Sequence, residues 1–559
     1  MKNTISTHSA KLLAFLLLIL ASNTTNAQFT PASNDTLNFT SILFEFPWID
    51  GAESYELIAI HESGKGNLSA ISEANKIRLD GLNFGSSYTW KVRGLTSIGE
   101  KMPWSTPISF HIATSDYIAP NKYRYDGKKL DRLKSQRSLL FLDYGRVGIN
   151  KAGKAVWYIP ETDSLFTETR VRDLKFTPSG TFTAIFGESA VEFDRKGTIL
   201  WMAPDDGQVN GEDREHYHHE FTKLPNGNYL VLGLDHVNRR VPNSNDSINV
   251  EFGTIMEYNP DGKLVWSWNS NDYFTDADLF SRKRGDRYDT RTHMNACTMH
   301  GNEVYVGFRD ISRIVVIDKK SGKAIESYGG YGVFSEPHVA TGFFRRQHDA
   351  LRLSDGNMAV LNNDSVMDPD VVSSVVVFSR LKNGTSEKLL DFKLDFDTLT
   401  NGKAVKTGNV NELSNGNILV NLGAINRFIE LTRTGDVVWS MFAEQFDSNT
   451  NEWKAFPQYR VCPAPSLYPY AYTSKLIRNS LRKRKREINV KVFNIGSEED
   501  LYTISLQKNG RNVKEVTLSI NSESVRLVEF KTKKKSAYTV KVQSTKTGEI
   551  QQVKIPDFN

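Results

Sequence analysis

Three histidines share one register of a repeated motif. His219, His293 and His348 each precede a turn glycine by eight residues, at Gly227, Gly301 and Gly356. Two further copies keep the turn and lose the imidazole, with Arg172 before Gly180 and Gly408 before Gly416. Imidazoles gathered in one place can attack electrophiles and trade protons near neutral pH, because their ordinary pKa is about 6.5. Asn295 lies two residues beyond His293, so both point to one side of a strand. Arg309 follows on the next strand, in Val304-Tyr305-Val306-Gly307-Phe308-Arg309. An arginine near histidines and neutral amides, with few carboxylates, suits an oxyanion. Three histidines also suit zinc, but a neighbouring arginine opposes a bound cation, so no metal is expected. A lone histidine is more often a satisfied structural residue; three at one repeat position argue for a shared site.

Strand alternation refines the set. Asp349 follows His348 directly and should point away from it, unless the strand is bulged. The same alternation separates His218 from His219, and the repeat register favours His219 as the inward member.

The elements that must position these side chains are hairpins. Tyr217-His218-His219-Glu220-Phe221-Thr222-Lys223-Leu224-Pro225-Asn226-Gly227-Asn228 reads as strand then turn, with a second strand running Tyr229 to Leu232. A second repeated element is a glycine followed by a strand. It occurs at Gly153, Gly197, Gly262, Gly322, Gly384 and Gly435, and Trp closes four of the copies (Trp157, Trp201, Trp266, Trp439). The separations are 44, 65, 60, 62 and 51 residues. Six copies of a multi-stranded unit predict a six-bladed β-propeller over 116–475, with insertions at 202–217, 236–251 and 269–292. The innermost strand of each blade lines the axis, so the histidines should converge on one mouth. Tyr459-Arg460-Val461 returns as a candidate strand to close the ring on the first blade.

Flanking segments read as β-sandwiches. Over 28–115, alternation is clear in Tyr88-Thr89-Trp90-Lys91-Val92-Arg93. The pattern W-x-x-G-A-x-S-Y … G-L-x-x-G-x-x-Y-x-W-x-V-R resembles fibronectin type III modules. Residues 476–559 alternate again, in Ile488–Val492 and Tyr538–Val542, and predict a basic linker followed by a small C-terminal β-sandwich. The fold class is therefore all-β.

Composition bounds the setting. Residues 1–27 read as a cleaved signal peptide, with Lys2 and Lys11, an apolar Leu12–Leu20 and a small-residue end at Ala27. That predicts a periplasmic or secreted protein, and no later apolar run is long enough to span a bilayer. The 559 residues carry a formal charge of +5. From Arg482 onward there are 17 Lys/Arg against 9 Asp/Glu, so this tail carries +8. In an exported protein the run Arg482-Lys483-Arg484-Lys485-Arg486 reads as a solvated linker rather than a nucleic-acid contact. Cys297 and Cys462 are the only cysteines, which excludes a disulfide scaffold; whether they pair is open, as is the oligomeric state.

The ordered set H-H-E-F-x-x-L-P-N-G-N, H-M-N … F-R, R-Q-H-D-x-x-x-L-x-x-G-N and G-N-V-N-E-L-S-N-G-N resembles the bacterial arylsulfate sulfotransferases, over roughly 120–470. That resemblance implies an exported six-bladed propeller with an N-terminal β-sandwich. It implies transfer of a sulfuryl group from a phenolic sulfate ester to a phenol, with no cofactor and no adenosine phosphosulfate. By resemblance His348 is the nucleophile that becomes sulfated. His293, Asn295, Arg309 and His219 would hold the sulfuryl oxygens or protonate the leaving phenol, and His218 stands beside them as a substrate-binding candidate. The sequence departs from the family in its extra C-terminal domain and in lacking a closely spaced cysteine pair. A non-catalytic propeller that binds sulfated or carboxylated ligands is the alternative reading, and a metal-dependent lyase or hydrolase a weaker third.

Overall fold

The computed structural model describes residues 29–559, apart from 281–282, 285–286, 289–290, 330–341, 365–369, 383, 399–400, 483–484, 534–536 and 557–559. The expected signal peptide, 1–27, lies outside the described residues. The chain is all-β and forms two compact units. Among the described residues no helix is long and apolar enough to cross a membrane.

The first unit holds most of residues 29–111. A five-stranded sheet runs in the order Thr36–Leu37, Ile108–Ile112, Ser86–Leu95, Ser54–His61, Leu68–Ser72, and Ile42–Glu45 pairs with Lys76–Leu79. Strict alternation along Ser86–Leu95 sends Tyr88, Trp90 and Val92 inward. Phe44 of the two-stranded sheet meets Trp90 at 5.1 Å and Phe110 at 5.9 Å, so the two sheets face each other across an aromatic core.

Over residues 123–464 of the second unit, six sheets of four or more antiparallel strands follow one another among the described residues. Five begin at their inner strand: Val171–Phe176, Tyr217–Lys223, Met294–His300, His348–Arg352 and Asn409–Glu412. The remaining sheet is completed from a distance, because Val461–Ala464 pairs with Leu139–Leu142. Middle strands such as Phe182–Phe186 and Met358–Asn362 are buried at every position, as strands covered on both faces must be. The outermost strands alternate, as in Ile199–Met202 and Leu264–Asn269.

Each sheet shares a core with the next. Phe141 and Trp157 stack on Phe176 and Phe182, Ile185 and Ala190 pack with Phe221 and Val231, and Leu232 and Ile255 with Val304 and Val306. Tyr305 and Val316 meet Ala350 and Val360, Leu361 and Val375 meet Val410 and Val420, and Leu419 and Phe428 meet Leu140 and Val461. No sheet can bury its apolar faces alone.

Hydrogen bonds repeat the same circuit at the inner strands. Arg460 donates to Asp173 at 2.9 Å, Phe221 N to Asp173 at 2.6 Å and Cys297 N to Glu220 at 3.4 Å. Asn295 donates to the Gln347 carbonyl at 3.0 Å, Val410 N to Asp349 at 3.0 Å and Val461 N to Asn409 at 2.9 Å. The last bond brings the chain back to the sheet it started from.

The C-terminal segment builds a three-stranded sheet (Tyr472–Arg482, Lys485–Asn494, Ser524–Lys533) and a four-stranded one (Arg511–Ile520, Asp500–Lys508, Tyr538–Ser544, Ile550–Ile555). Ile488, Val490, Tyr502, Ile504, Val540 and Val542 form their core. The basic run 482–486 is not the expected linker. Arg482 and Lys485 are backbone partners in neighbouring antiparallel strands, and the buried Arg486 donates to Asn479 at 2.7 Å and to the Pro556 carbonyl. Long alternating strands on both sides override the charge pattern, and the sandwich begins at Tyr472 rather than after the basic run.

Candidate active site

The inner strands are bulged where the histidines sit. Register breaks occur between Arg172 and Lys175, Tyr217 and Phe221, Met294 and Ala296, and His348 and Leu351. Left-handed residues accompany them: Asp173, His219, His293, Asp349 and Thr407 all have φ between 55° and 69°. Bulges re-aim side chains at strand ends, and these turn polar groups from four sheets toward one another.

His219 and His293 meet ring to ring at 4.9 Å, and the Tyr459 ring lies 5.5 Å from His219. His218 sits behind His219 and touches it through the two Nδ1 atoms. Its Nε2–H donates to the Gly233 carbonyl at 3.1 Å. His218 Nδ1 is then an acceptor, so His219 Nδ1 carries a proton and His219 Nε2 holds a lone pair. Burial pulls His218 down to about 4, helped by His293 and Arg172. Burial, His218, His293 and Arg172 hold His219 well below its ordinary value. His293 Nδ1 faces Glu251 at 3.3 Å. Burial raises that carboxyl, but contact with His293, together with His218 and Arg291, leaves it below its ordinary value and therefore ionised.

His348 is 3 % exposed. Its Nδ1–H donates to Asn363 Oδ1 at 2.8 Å. Asn363 is oriented in turn, because its amide donates to the Ala404 carbonyl at 2.5 Å. The tautomer leaves a lone pair on Nε2, which accepts the Thr407 N–H at 3.2 Å. Burial drives the imidazole down to about 3, with Arg309, His293 and Arg460 pushing the same way against the Asn363 bond. His348 is thus a neutral imidazole aimed by a second amide. Its register neighbour Asp349 takes no part: the strand is bulged, yet its carboxylate accepts from Ala350 N and Val410 N.

Cations frame the histidines. The main chain of Arg309 donates to the His293 carbonyl at 3.0 Å, and its guanidinium shares Asp310 with Arg346, at 2.9 and 3.0 Å. Asn295 is fully buried; its amide is held by Gln347 while its Oδ1 has no partner among the described residues. Arg460 donates to the Asn295 carbonyl at 3.0 Å and to Asp173 and Glu220. Lys175 joins the same two acids. In this cluster burial lifts Asp173 to about 6, whereas Arg460 and Lys175 overcome burial and hold Glu220 down at about 2.

The sequence-predicted residues His219, His293, Asn295, Arg309 and His348 therefore stand in one bonded neighbourhood, with His218 behind it. Asn363, Thr407, Glu251, Tyr459 and Arg460 belong to it as well. Asn363 directly follows the second strand of the His348 hairpin, a position the repeat could have flagged. Glu251 comes from the long hairpin Tyr229–Arg240/Ser247–Tyr258, inside the insertion at 236–251. Cys297 and Cys462 are both free. Among the described residues no group of three or more His, Cys, Asp and Glu is placed to hold a metal ion.

The family model described as Arylsulfotransferase (ASST) matches residues 141–459, more than half of the 559 residues. The chain belongs to the arylsulfotransferase family. The matched span runs from the first complete sheet to Tyr459 and contains every site residue above except Arg460. No curated protein matches the arylsulfotransferase chain. Solved structures match only slightly. Hydrazine synthase of Kuenenia stuttgartiensis is 10% identical, covering 51% of this chain and 94% of that one, with a TM-score of 0.27. Hsv2 of Kluyveromyces lactis is also 10% identical, covering 68% and 93%, at 0.27. AztD of Citrobacter koseri is 8% identical, covering 86% and 98%, at 0.24.

Proposed function

We propose that this arylsulfotransferase moves a sulfuryl group from a phenolic sulfate ester to a phenol through a sulfated His348. The observation that carries the reading is the His348 imidazole, buried, neutral and fixed as the Nδ1–H tautomer by Asn363. In the first half-reaction the Nε2 lone pair attacks sulfur and forms an N–S bond. The ester S–O bond breaks and its electron pair leaves with the phenolate, which takes up a proton from solvent as it departs past His293. The Thr407 N–H now on Nε2, at 3.2 Å, must yield for this attack. In the second half-reaction the acceptor phenol attacks sulfur and gives its proton to the lone pair on His219 Nε2, which passes it on to solvent and balances the proton taken up by the first phenolate. The N–S bond breaks and His348 is restored.

Charge on the sulfuryl oxygens is largest in the loose transition state, by analogy with phosphoryl transfer. Arg309 is the donor assigned to it in this proposal; Asn295 joins only if its amide releases the Gln347 carbonyl, because its free atom is the acceptor Oδ1. Splitting the transfer in two predicts ping-pong kinetics. The six sheets act in this proposal as the blades of a six-bladed β-propeller over 116–475, supported by the circuit of shared cores and hydrogen bonds. The fibronectin-like module at 28–115 and the sandwich at 476–559 serve as braces. A signal peptide, 1–27, delivers the enzyme to the periplasm or medium.

The test is incubation with 4-nitrophenyl sulfate and phenol, with no adenosine phosphosulfate. Release of nitrophenol is expected from the wild type and not from His348→Asn. A protein that binds the ester without releasing nitrophenol would instead be the non-catalytic binding propeller.

A further inference from the structure

Arg172 occupies, in the second sheet, the register position that His219, His293 and His348 occupy in theirs. Its guanidinium lies 5.6 Å from the Tyr459 ring centre, and that ring also contacts His219. Its charge is felt by His218 and His219, and by Tyr144, whose ring lies 6.4 Å from Tyr459.

Arg172 differs from the other arginines here. Arg460 is spent on Asp173 and Glu220, and Arg309 and Arg346 share Asp310. Arg172 pairs with no carboxylate among the described residues; its side chain bonds Tyr144 and leaves a buried Nε without an acceptor. The ring it lies over belongs to Tyr459, a residue 3 % exposed whose hydroxyl is also without a partner. Two neighbouring buried donors lacking acceptors form an arrangement that folding alone does not favour. A guanidinium fork matches a planar carboxylate better than a neutral group.

We propose that Arg172 and Tyr459 form a subsite for a carboxylate carried on the aryl ring of the substrate, making carboxylated phenols the preferred class. This rests on the sulfuryl-transfer reading for its chemistry but not for its binding. The ring then extends from the histidines toward Arg172, with its phenolic oxygen left at the His219 and His348 end.

Two isosteric phenols test it: 4-hydroxybenzoate and 4-hydroxybenzamide, titrated calorimetrically into full-length protein without a sulfate donor. The wild type should bind the benzoate about tenfold more tightly, the scale of one hydrogen bond to a charged group. Arg172→Met should remove that difference and Arg172→Lys should restore part of it. Equal binding by the wild type overturns the subsite with no variant required, and so does a preference that survives in folded Arg172→Met. In a parallel arm each phenol serves as acceptor from 4-nitrophenyl sulfate. A binding preference without nitrophenol release defeats the transfer reading and leaves the subsite standing. Release with no preference for the benzoate in either arm defeats the subsite alone.

Discussion

The chemistry at residue scale turns on how burial separates chemically identical imidazoles. His348 is neutral because its site is dry and cationic, and Asn363 decides which nitrogen holds the proton. His219 is neutral for similar reasons, but its tautomer is set through His218. In the proposed mechanism Arg309 supplies charge to the transferring group, so Arg309→Met should lower kcat by ~10²–10³, as loss of an oxyanion donor does elsewhere; steady-state kinetics with 4-nitrophenyl sulfate will show it. His218 carries a stability prediction. Its folded pKa of about 4 is below the unfolded value of about 6.5. A depressed pKa contributes stability that is present above pH 6.5 and lost as pH falls toward 4, because the unfolded chain takes up the proton first. Replacing His218 with Gln should reduce the slope of unfolding free energy against pH by up to about 1.4 kcal/mol per unit within that window. Urea melts of both proteins at pH 7, 6, 5 and 4.5 measure this. Much of the residue-level site was legible in the sequence, since His219, His293 and His348 share one register before a glycine. Glu251 was not, because the reach of an insertion is a property of folded strands.

At the scale of elements, the inner strand and its bulge do the aiming. Alternation alone argued that Asp349 should face away from His348. In the structure the strand is bulged and Asp349 still bonds elsewhere, to Ala350 N and Val410 N. Gly408 has φ of 98°, and an added Cβ would stand 2.3 Å from Leu361 Cδ2 and 2.6 Å from the Asn421 carbonyl. Gly408→Ala should therefore cost about 2 kcal/mol or more in urea unfolding, and it should disturb Thr407 and the His348 contact next to it. The hairpin arm Tyr229–Arg240/Ser247–Tyr258 brings Glu251 to His293. Glu251→Gln should shift the pH–rate profile while leaving the melting temperature nearly unchanged, a split that a purely structural role would not give. Charge alone read 482–486 as a linker, whereas Arg482 ends one long alternating strand and Lys485 and Arg486 begin the next.

At the scale of the whole molecule, stability and site share one set of bonds. Arg460 reaches Asp173, Glu220 and the Asn295 carbonyl, tying together strands that are up to 287 residues apart in sequence. Arg460→Met would leave buried carboxylates uncompensated, at a cost of about 3–5 kcal/mol, and urea unfolding should report it together with lost activity. Six Gly-strand copies and five hairpin copies marked the repeating sheets in the sequence; the first sheet carries no hairpin copy. The pairing of Val461–Ala464 with Leu139–Leu142 was readable only as the short candidate return strand at Tyr459-Arg460-Val461. The most direct measurement of the central claim is intact-mass spectrometry after brief incubation with 4-nitrophenyl sulfate and no acceptor. The account predicts a gain of one sulfuryl group, mapped by peptide digestion to His348 and absent from His348→Asn. Turnover without that adduct, or an adduct of equal yield in His348→Asn, would contradict it.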